Sequence, residues 1–532
     1  VLEIGGRFLT IEVGKEVSHV LTLPDDKRFV IVRMTADRSF VPALENWGPA
    51  YYSISLSAIP RPQGKEILSV QSIPCLPGID SLTEQNSAKK VASDESENGS
   101  VTSFSKTSSV SRDSIKKRPL RVAFFTAVPA NVGSGCEYLI YTTASSLIAR
   151  GHDARVYVMH LHWDAMPPFF VRQLPTLPLE IKIETRLTRI TSWNDIFFPS
   201  TALLRFRCWV GTADIWHFHN LHGHYVSIPL LGLMSWTKRI LLSPVDHYLS
   251  TGHCPYTMGC DRYLDGCGSC PRPDEHYPGL SRDTTRTLWQ LKRLFFRFSR
   301  VKMLFHTQAL AKHYDQTFVQ RRASKVIHYG VDLNTYRKLP RSECARRLGI
   351  QPNRRFVVGL LHSHLLDPRK GILTIIEGLG SLARQYPGKF SLLVVGRGNE
   401  MVKNHVPPEL SVTALPFLHH AHELANALNL CDVLLYPTQA ENLSLTCLNA
   451  LACGVPVISF DAGGQKEAIQ DGVNGFIVNM NDSKNMLSLV RTMIENPVLC
   501  ESLSREARRY AERKFDFDRY IDDLIEYYRE II

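Results

Sequence analysis

The residues with the clearest chemical potential lie in a polar loop after an apolar segment. Residues 436–457 begin at a predicted strand end, carry the carboxylate of Glu441 and continue into a helix that we expect to start near Asn442. Open α/β sheets bind ligands at the carboxyl ends of their strands, and a helix N-terminus presents free backbone N–H groups to a phosphate. The loop therefore predicts a site for a phosphate-bearing ligand. The predicted backbone donors are Asn442, Leu443, Ser444 and Leu445.

A basic pair and a glycine-bearing loop follow two other predicted strands. Arg369 and Lys370 precede Gly371 at the start of a helical stretch, downstream of the apolar segment 356–361. A second loop separates segment 120–127 from the next helix. That loop contains Gly133, Ser134 and Gly135. Glycines between a strand and a helix allow close approach to a phosphate; a solvated basic pair and an ordinary strand–helix turn are the alternatives.

Histidines are concentrated in residues 215–225, where four lie within eight positions. Alternation along a strand places His217 and His219 on one face. Asn220 and His222 then fall in the loop at the carboxyl end of that strand. Substrate binding, core packing and metal ligation are the three interpretations, in that order of preference.

Four cysteines form a cluster with the spacing C-x5-C-x6-C-x2-C. They are Cys254, Cys260, Cys267 and Cys270. Four thiolates at such spacing can form a tetrahedral structural zinc site. Two disulfides in an oxidising compartment, or free thiols in a reducing one, are the alternatives.

Alternating apolar and helical segments must position these loops. The apolar segments 120–127, 155–159, 214–218, 239–245 and 301–305 predict the strands of a first parallel sheet. Segments 356–361, 390–395, 433–436 and 455–459 predict those of a second. Alternation of strands and helices implies right-handed crossovers. The fold class is therefore α/β, with two Rossmann-like domains.

The chain divides into five predicted regions. A β-rich, sandwich-like module spans 1–75, and the polar composition of 76–118 predicts a disordered linker. The first Rossmann-like domain covers 119–330 and contains the cysteine-bearing insertion 251–271. The second covers 331–500, and closing helices occupy 501–532.

Composition narrows the classes of partner. The formal charge of +11 suits an anionic ligand or a membrane surface. No nucleic-acid-binding motif accompanies it, so we expect no nucleic-acid partner. No segment reaches the ~18 apolar residues of a spanning helix; the most apolar run, 225–236, predicts a buried helix.

The region around Glu441 resembles the donor-binding signature of retaining family 4 glycosyltransferases, which have the GT-B fold. In that family a Glu, seven residues and a second Glu flank this loop and helix; Glu441 matches the first, and Asn449 replaces the second. The resemblance implies that Glu441 contacts the transferred sugar and that Asn449 lies at the nucleotide ribose. An Asn side chain still accepts and donates hydrogen bonds, without charge assistance.

The resemblance covers residues 119–532 and extends to the other motifs. It implies that Lys370, aided by Arg369, neutralises the donor diphosphate; many members carry the Arg earlier, where this chain has Leu365. The glycine loop corresponds to the family's Gly-Gly loop near donor phosphate and acceptor. The histidine-rich and cysteine-rich segments are similar to those of capsule and colanic-acid type members. The resemblance thus assigns His217, His219, Asn220 and His222 to the acceptor side, with His219 also near the reacting groups.

One departure concerns a His-Asp pair that precedes the Thr-Gly-His-Cys stretch in close relatives. The matching positions are Val245 and Asp246, so the histidine that helps to hold the sugar is a valine here. Asp246 remains a predicted catalytic residue, and His247 is an acceptor-side candidate that could compensate.

These features together predict an enzyme that moves a sugar from a nucleoside-diphosphate sugar to a glycan or lipid-linked glycan, with retention, in surface polysaccharide synthesis. We expect no cofactor for catalysis, a structural zinc as an option, and a cytoplasmic location with peripheral contact at the inner face of the membrane. A catalytically silent scaffold subunit is the main alternative. A glycan-binding protein whose active part is the β-rich module is the other.

Overall fold

The computed structural model describes residues 118–532, apart from 128–134, 160–167, 178, 224, 274–281, 320–323 and 352–354. Before residue 118 it describes the backbone of five short strands. They are β1 (Leu2–Ile4), β2 (Arg7–Leu9), β3 (Val17–Thr22), β4 (Phe29–Met34) and β5 (Ser55–Leu56). β1 pairs antiparallel with β2, and β3, β4 and β5 form a second antiparallel sheet. The predicted sandwich packing and nearly all of the linker 76–118 lie outside the described residues.

The first large sheet is parallel and has the strand order β12-β11-β10-β9-β6-β7-β8. Its strands are β6 (Arg121–Thr126), β7 (Asp153–Val158), β8 (Val171–Gln173), β9 (Ile215–His219), β10 (Ile240–Ser243), β11 (Lys302–Phe305) and β12 (Ser324–Val326). The central strands are buried along almost their whole length, since helices cover both faces of such a sheet.

Helices connect these strands in the first domain. They are α1 (Gly135–Ala149), α2 (Glu180–Thr191), α3 (Ser200–Leu203), α4 (Cys208–Thr212), α5 (Ile228–Met234), α6 (Thr285–Phe298) and α7 (Gln308–Asp315). Gly151 follows α1 with φ of 82°, as expected for a residue that ends a helix in the left-handed conformation. The helix predicted in the apolar run 225–236 is α5, and most of its residues are buried.

The second large sheet is also parallel, with the order β15-β14-β13-β16-β17-β18. Its strands are β13 (Phe356–His364), β14 (Phe390–Arg397), β15 (Val412–Leu415), β16 (Val433–Tyr436), β17 (Val457–Phe460) and β18 (Gly475–Val478). Its helices are α8 (Arg341–Arg347), α9 (Ile372–Gln385), α10 (Asn399–Asn404), α11 (Ala421–Leu428), α12 (Leu445–Ala452), α13 (Gln465–Ala468) and α14 (Ser483–Glu495). Two facing Rossmann-like domains, the predicted fold class, are thus present.

Two long helices end the chain, α15 (Pro497–Lys514) and α16 (Phe517–Ile531). α15 packs on the second domain, where Arg508 donates to the carbonyl oxygens of Ala452 and Tyr336 at 2.8 and 2.7 Å. α16 returns to the first domain, because Tyr527 donates to the carbonyl oxygen of Met303 at 3.0 Å. The last helix therefore ties the two sheets together.

Within the described residues, no helix combines the length and the apolar character needed to cross a lipid bilayer.

Candidate functional site

A cleft of about 790 Å³ opens between the two sheets. On the first domain it is lined by residues that follow β6 and β9, and on the second by residues that follow β13 and β16. In each sheet these two strands are neighbours in the middle, with crossovers leaving in opposite directions. Ligands of open α/β folds bind at such switch points. The cleft therefore lies at the place where a fold of this kind binds its ligand.

The second domain places an ion pair on the floor of this cleft. Lys370 Nζ lies 2.9 Å from Glu441 Oε2, and only about one sixth of each side chain is exposed. The Tyr436 hydroxyl donates to the same carboxylate oxygen at 3.0 Å, and the backbone N–H of Asn442 donates to Oε1 at 3.2 Å. Burial alone would raise the pKa of Glu441, but the Lys370 ammonium and these hydrogen bonds lower it below its ordinary value. Glu441 is thus held as a carboxylate.

Two glycines pack closely against the loop that carries Glu441. Gly371, next to Lys370, has φ of 64°, and a Cβ there would lie 2.3 Å from the Pro437 carbonyl oxygen. Gly463 has φ of 56°, and a Cβ there would lie 1.8 Å from the Glu441 carbonyl oxygen. Both positions need a residue without a side chain, because the backbone of the loop that carries Glu441 passes close to each of them.

The helix after Glu441 begins later than predicted. We expected it to start near Asn442, but α12 starts at Leu445, with Ser444 as its N-cap accepting from the backbone N–H of Cys447 at 3.2 Å. The Asn442 side chain instead bonds across the domains, because Thr307 Oγ1 donates to its Oδ1 at 2.6 Å. Residues 442–446 all line the cleft. The backbone N–H groups of the first turn of α12 begin with that of Leu445.

Arg369 and Asn449 also line the cleft. Arg369 is held by Asp367, whose Oδ2 lies 2.5 Å from the guanidinium Nη2 and whose Oδ1 accepts from Nε at 3.1 Å. Asn449 is on the second turn of α12 and almost completely buried. Leu365, at the place where many family 4 members carry an Arg, is a core residue.

The first domain contributes Asp246 and His222 to the opposite wall. Asp246 Oδ2 lies 2.7 Å from His222 Nδ1, and its other oxygen accepts from the backbone N–H of Tyr248 at 2.9 Å. Burial would lower the pKa of His222, but the adjacent carboxylate raises it above the ordinary value. Asn220 and Val245 lie beside this pair on the cleft surface. Two predicted residues that are distant in sequence therefore form one polar unit.

Three predicted histidines lie away from the described cleft lining. His217 and His219 do share a strand face, with ring centroids 4.0 Å apart, but both are buried. His217 Nδ1 lies 2.7 Å from the Tyr528 hydroxyl and Nε2 lies 2.7 Å from Ser243 Oγ, so its two nitrogens are satisfied within the core. Burial lowers the pKa of both rings well below the ordinary value, which makes them neutral. His247 stacks on His313 at 3.8 Å, behind the wall.

Replacing Tyr528 with Phe is expected to destabilise the protein by about 1–3 kcal/mol, because the Tyr528 hydroxyl contacts a buried His217 nitrogen that would lose its partner. Urea unfolding measures this change. Tyr386→Phe is the control, since the Tyr386 hydroxyl bonds to Glu495 at the surface. Equal stability of the two variants would show that the α16 contact contributes nothing.

The glycine loop is described only at its end. Gly133 and Ser134 lie outside the described residues, whereas Gly135 begins α1 and lines the cleft. A Cβ on Gly135 would lie 3.0 Å from Leu445 Cδ1. The N-termini of α1 and α12 therefore approach each other across the cleft. Because helix N-termini favour negative charge, this junction suits a phosphate.

The sequence analysis missed several residues that line the cleft, among them His362 and Tyr256. His362, at the end of β13, is buried against the Tyr436 ring at 4.3 Å, and its Nε2 has no hydrogen-bond partner within the described part of the chain. Tyr256 lies with its ring 5.0 Å from the Arg369 guanidinium carbon. The sequence did contain a signal for His362, which lies at the end of a predicted strand and before the loop of Lys370. No sequence signal indicated Tyr256, because its loop has no regular structure.

The comparisons with known proteins agree with this geometry. Residues 352–510 match the family described as "Glycosyl transferases group 1". This range contains Lys370, Glu441 and Asn449. It covers the second domain, which supplies the ion pair.

Two curated relatives illustrate the range of similar proteins. D-inositol 3-phosphate glycosyltransferase of Saccharomonospora viridis is 29% identical over 220 residues, which cover 39% of this chain and 50% of the relative. The putative colanic acid biosynthesis glycosyl transferase WcaC of Escherichia coli K12 is 22% identical over 353 residues, covering 64% of this chain and 82% of the relative. The chain spans about half the length of the inositol-phosphate enzymes that it matches.

Solved structures show the same two-domain architecture. HepE of Anabaena, in complex with UDP and glucose, has a TM-score of 0.53 and 18% identity, covering 77% of this chain and 99% of HepE. The same protein has also been solved with UDP-glucose. The fold of the present chain is thus the GT-B fold of glycosyltransferases.

Proposed function

We propose that this chain, which carries a group 1 glycosyltransferase domain at residues 352–510 within a GT-B fold, transfers a sugar from a nucleoside-diphosphate sugar with retention at the anomeric carbon. The acceptor is a glycan or a lipid-linked glycan, and the product belongs to a surface polysaccharide such as a capsule. The enzyme is of the family 4 type. The observation that carries the proposal is the Lys370–Glu441 pair at the switch point of the second sheet.

Charge assigns the roles on the donor side. A leaving nucleoside diphosphate gains negative charge as the bond to the sugar breaks, and preorganised cations and amides stabilise that charge best in a site with little water. Lys370 is the cation in the cleft floor, and the N-terminus of α12 adds backbone N–H groups. Arg369 adds a second positive charge, oriented by Asp367. Glu441, ionised and partly covered, accepts hydrogen bonds from sugar hydroxyls.

Asn449 and the glycine loop complete the donor assignment. Asn449 on α12 accepts from the nucleotide ribose in place of the Glu that is usual in family 4. Gly133, Ser134 and Gly135 approach the diphosphate from the first domain; Gly135 already lies against Leu445. An amide acceptor binds a hydroxyl more weakly than a carboxylate does, so nucleotide affinity depends mainly on the diphosphate contacts.

The acceptor side is the opposite wall. The Asp246–His222 pair, with Asn220, presents a buried charge next to an open surface. His222 provides the polar side chain at this wall. Close relatives instead have a histidine at the position of Val245. His217, His219 and His247 act behind the wall, by packing and by holding β9 and β10. Catalysis in this proposal uses no metal or other cofactor.

A donor panel tests the proposal. Purified full-length chain is incubated with UDP-, GDP- and ADP-sugars, and release of free nucleotide is followed with and without glycan acceptors. The proposal expects slow hydrolysis of one donor and faster release when an acceptor is present. Binding of no donor would overturn it and favour the silent scaffold subunit, with Val245 and Asn449 as the cause.

A surface of the first domain supports peripheral attachment to the inner face of a membrane from the cytoplasm. The region of α5 and α6 exposes Leu233, Trp236, Leu294 and Phe298, with between 52% and 70% of each residue accessible. Arg293, Arg297 and Arg300 are exposed on α6 or just after it, and residues 285–300 contain no acidic side chain. Apolar and cationic groups together favour an interface with anionic lipid.

Changing Leu294 and Phe298 to Glu is expected to reduce binding to anionic phospholipid vesicles at least about tenfold, since it removes apolar contacts and opposes the lipid charge. Vesicle sedimentation measures the effect. Val498→Glu on α15 is the control, because Val498 is also highly exposed but belongs to the second domain. Undiminished binding of the double variant would refute this attachment surface.

A further inference from the structure

The segment after β10 is ordered without an apolar core of its own. Among the described residues 251–273, no hydrophobic side chain is buried, and the regular structure is limited to one short 3-10 turn, Arg262–Leu264. Positive φ values recur at Met258, Gly259, Gly266 and Gly268, and also at Cys267 and Ser269. A segment with so little apolar burial needs another source of stability, usually a disulfide or a metal ion.

The donor atoms for a metal already lie close together in this segment. One ring nitrogen of His253 and the sulfurs of Cys254 and Cys270 are all within 4.8 Å of one another. Cys254 Sγ lies 3.7 Å from His253 Nδ1. Zinc distances of about 2.3 Å to sulfur and about 2.0–2.1 Å to nitrogen, at a tetrahedral angle, separate two such ligands by about 3.6 Å. The observed spacing is therefore that of two atoms around one ion.

The two other cysteines, Cys260 and Cys267, lie in the electrostatic surroundings of Cys254 and Cys270. The backbone N–H of Gly252 donates to Cys267 Sγ at 3.3 Å, and the N–H of Cys270 donates to Asp283 at 2.7 Å. Thiolate and imidazole ligands select zinc over magnesium or calcium.

A buried cation lies directly behind this cluster. Lys292 is almost inaccessible, and its ammonium donates to the carbonyl oxygens of Tyr248, Thr251 and Gly252 at 2.7–3.2 Å. Cys254 and Cys267 are among its electrostatic neighbours. Asp195 and Asp246 also act on this ammonium, and thiolates that bind a metal ion would add to the negative charge that favours a buried lysine.

We propose that the His253 imidazole and the thiolates of Cys254 and Cys270 bind a structural zinc ion, with the fourth ligand supplied by Cys260 or Cys267. The ion holds the wall of the cleft in place. Pro255 and Tyr256 directly follow Cys254 and line the cleft, and the Pro255 carbonyl oxygen accepts from the backbone N–H of His247 at 2.8 Å. This inference is independent of the proposed transfer reaction.

Metal analysis of the purified full-length chain tests the site. We expect about one zinc per chain, lost in Cys254→Ser and Cys270→Ser and retained in Cys500→Ser, a partly buried cysteine of the second domain. A wild-type chain without zinc, or full zinc content in the Cys270→Ser variant, would overturn the proposal.

Thiol labelling of the wild-type chain gives an answer even if the variants fail to fold. The thiols of Cys254 and Cys270 are expected to be protected from alkylation in the native protein and to become reactive after a zinc chelator is added without reductant. Release of these thiols by reductant alone would identify disulfides and reject the zinc site. The measurement does not depend on any transferase activity, so its outcome is separate from that of the donor panel.

Discussion

Replacing Lys370 with Met is expected to lower kcat/KM for sugar transfer by roughly 10²–10³, the usual effect of removing one stabilising group from a developing oxyanion. Met keeps much of the length and apolar stem of Lys but removes the ammonium that pairs with Glu441 at 2.9 Å. The affinity for free nucleoside diphosphate should fall as well, because the charge that receives the diphosphate is lost. Initial rates and calorimetric titration with the nucleotide found in the donor panel measure both effects.

The control for this variant is Lys466→Met. Lys466 also belongs to an ion pair of the second domain, with Asp461 at 2.5 Å, but 61% of its side chain is exposed. Exposed pairs contribute about 0–1 kcal/mol, so this variant should retain both activity and nucleotide affinity. If Lys370→Met bound nucleoside diphosphate as tightly as the wild type, Lys370 could not be the diphosphate cation.

The strands that were predicted from sequence and those that were missed differ in their place in the sheets. All nine predicted strands exist, within about three residues at either end. The missed strands are β8, β12, β15 and β18, which are the outermost strands of the two sheets. Edge strands are short and partly exposed, so they lack the continuous apolar run that identifies a central strand. β18 even begins at a glycine, Gly475.

The histidine-rich strand β9 shows a second limit of prediction from sequence. Alternation correctly places His217 and His219 on one face of β9. It does not reveal what covers that face, which is Tyr528 from α16, more than 300 positions later in the chain. A long-range contact of this kind leaves no local pattern in sequence. The same histidines therefore fit a ligand site or a core equally well until the fold is known.

Local capping explains the displaced start of α12. Asn442 and Ser444 are both good N-cap residues, so sequence alone did not decide between them. In the fold, Asn442 is used by Thr307 of the first domain, and Ser444 is left to cap the helix. The pairing of Glu441 with Lys370 was also invisible, because 71 positions separate the two residues. The resemblance to family 4 placed both at the donor, and the fold adds that they contact each other.

Changing Glu441 to Gln is expected to separate nucleotide binding from sugar transfer. The substitution removes a carboxylate beside the diphosphate position and releases Lys370 from its ion pair, so free nucleoside diphosphate should bind at least as tightly as to the wild type. Transfer should still fall by roughly 10²–10³, since the charged acceptor for the sugar hydroxyls is lost. Titration with nucleoside diphosphate and initial rates with the full donor measure the two effects separately.

Glu400→Gln is the matched control, because Glu400 also pairs with a lysine, Lys403 at 3.7 Å, but lies exposed on α10. It should change neither measurement. The two cleft variants then differ in one respect: Lys370→Met weakens binding of the free nucleotide, whereas Glu441→Gln does not. A Glu441→Gln variant that lost nucleotide affinity to the same extent would mean that the pair acts only as a unit that shapes the cleft. Strong nucleotide binding with lost transfer would instead place Glu441 at the sugar and Lys370 at the phosphates.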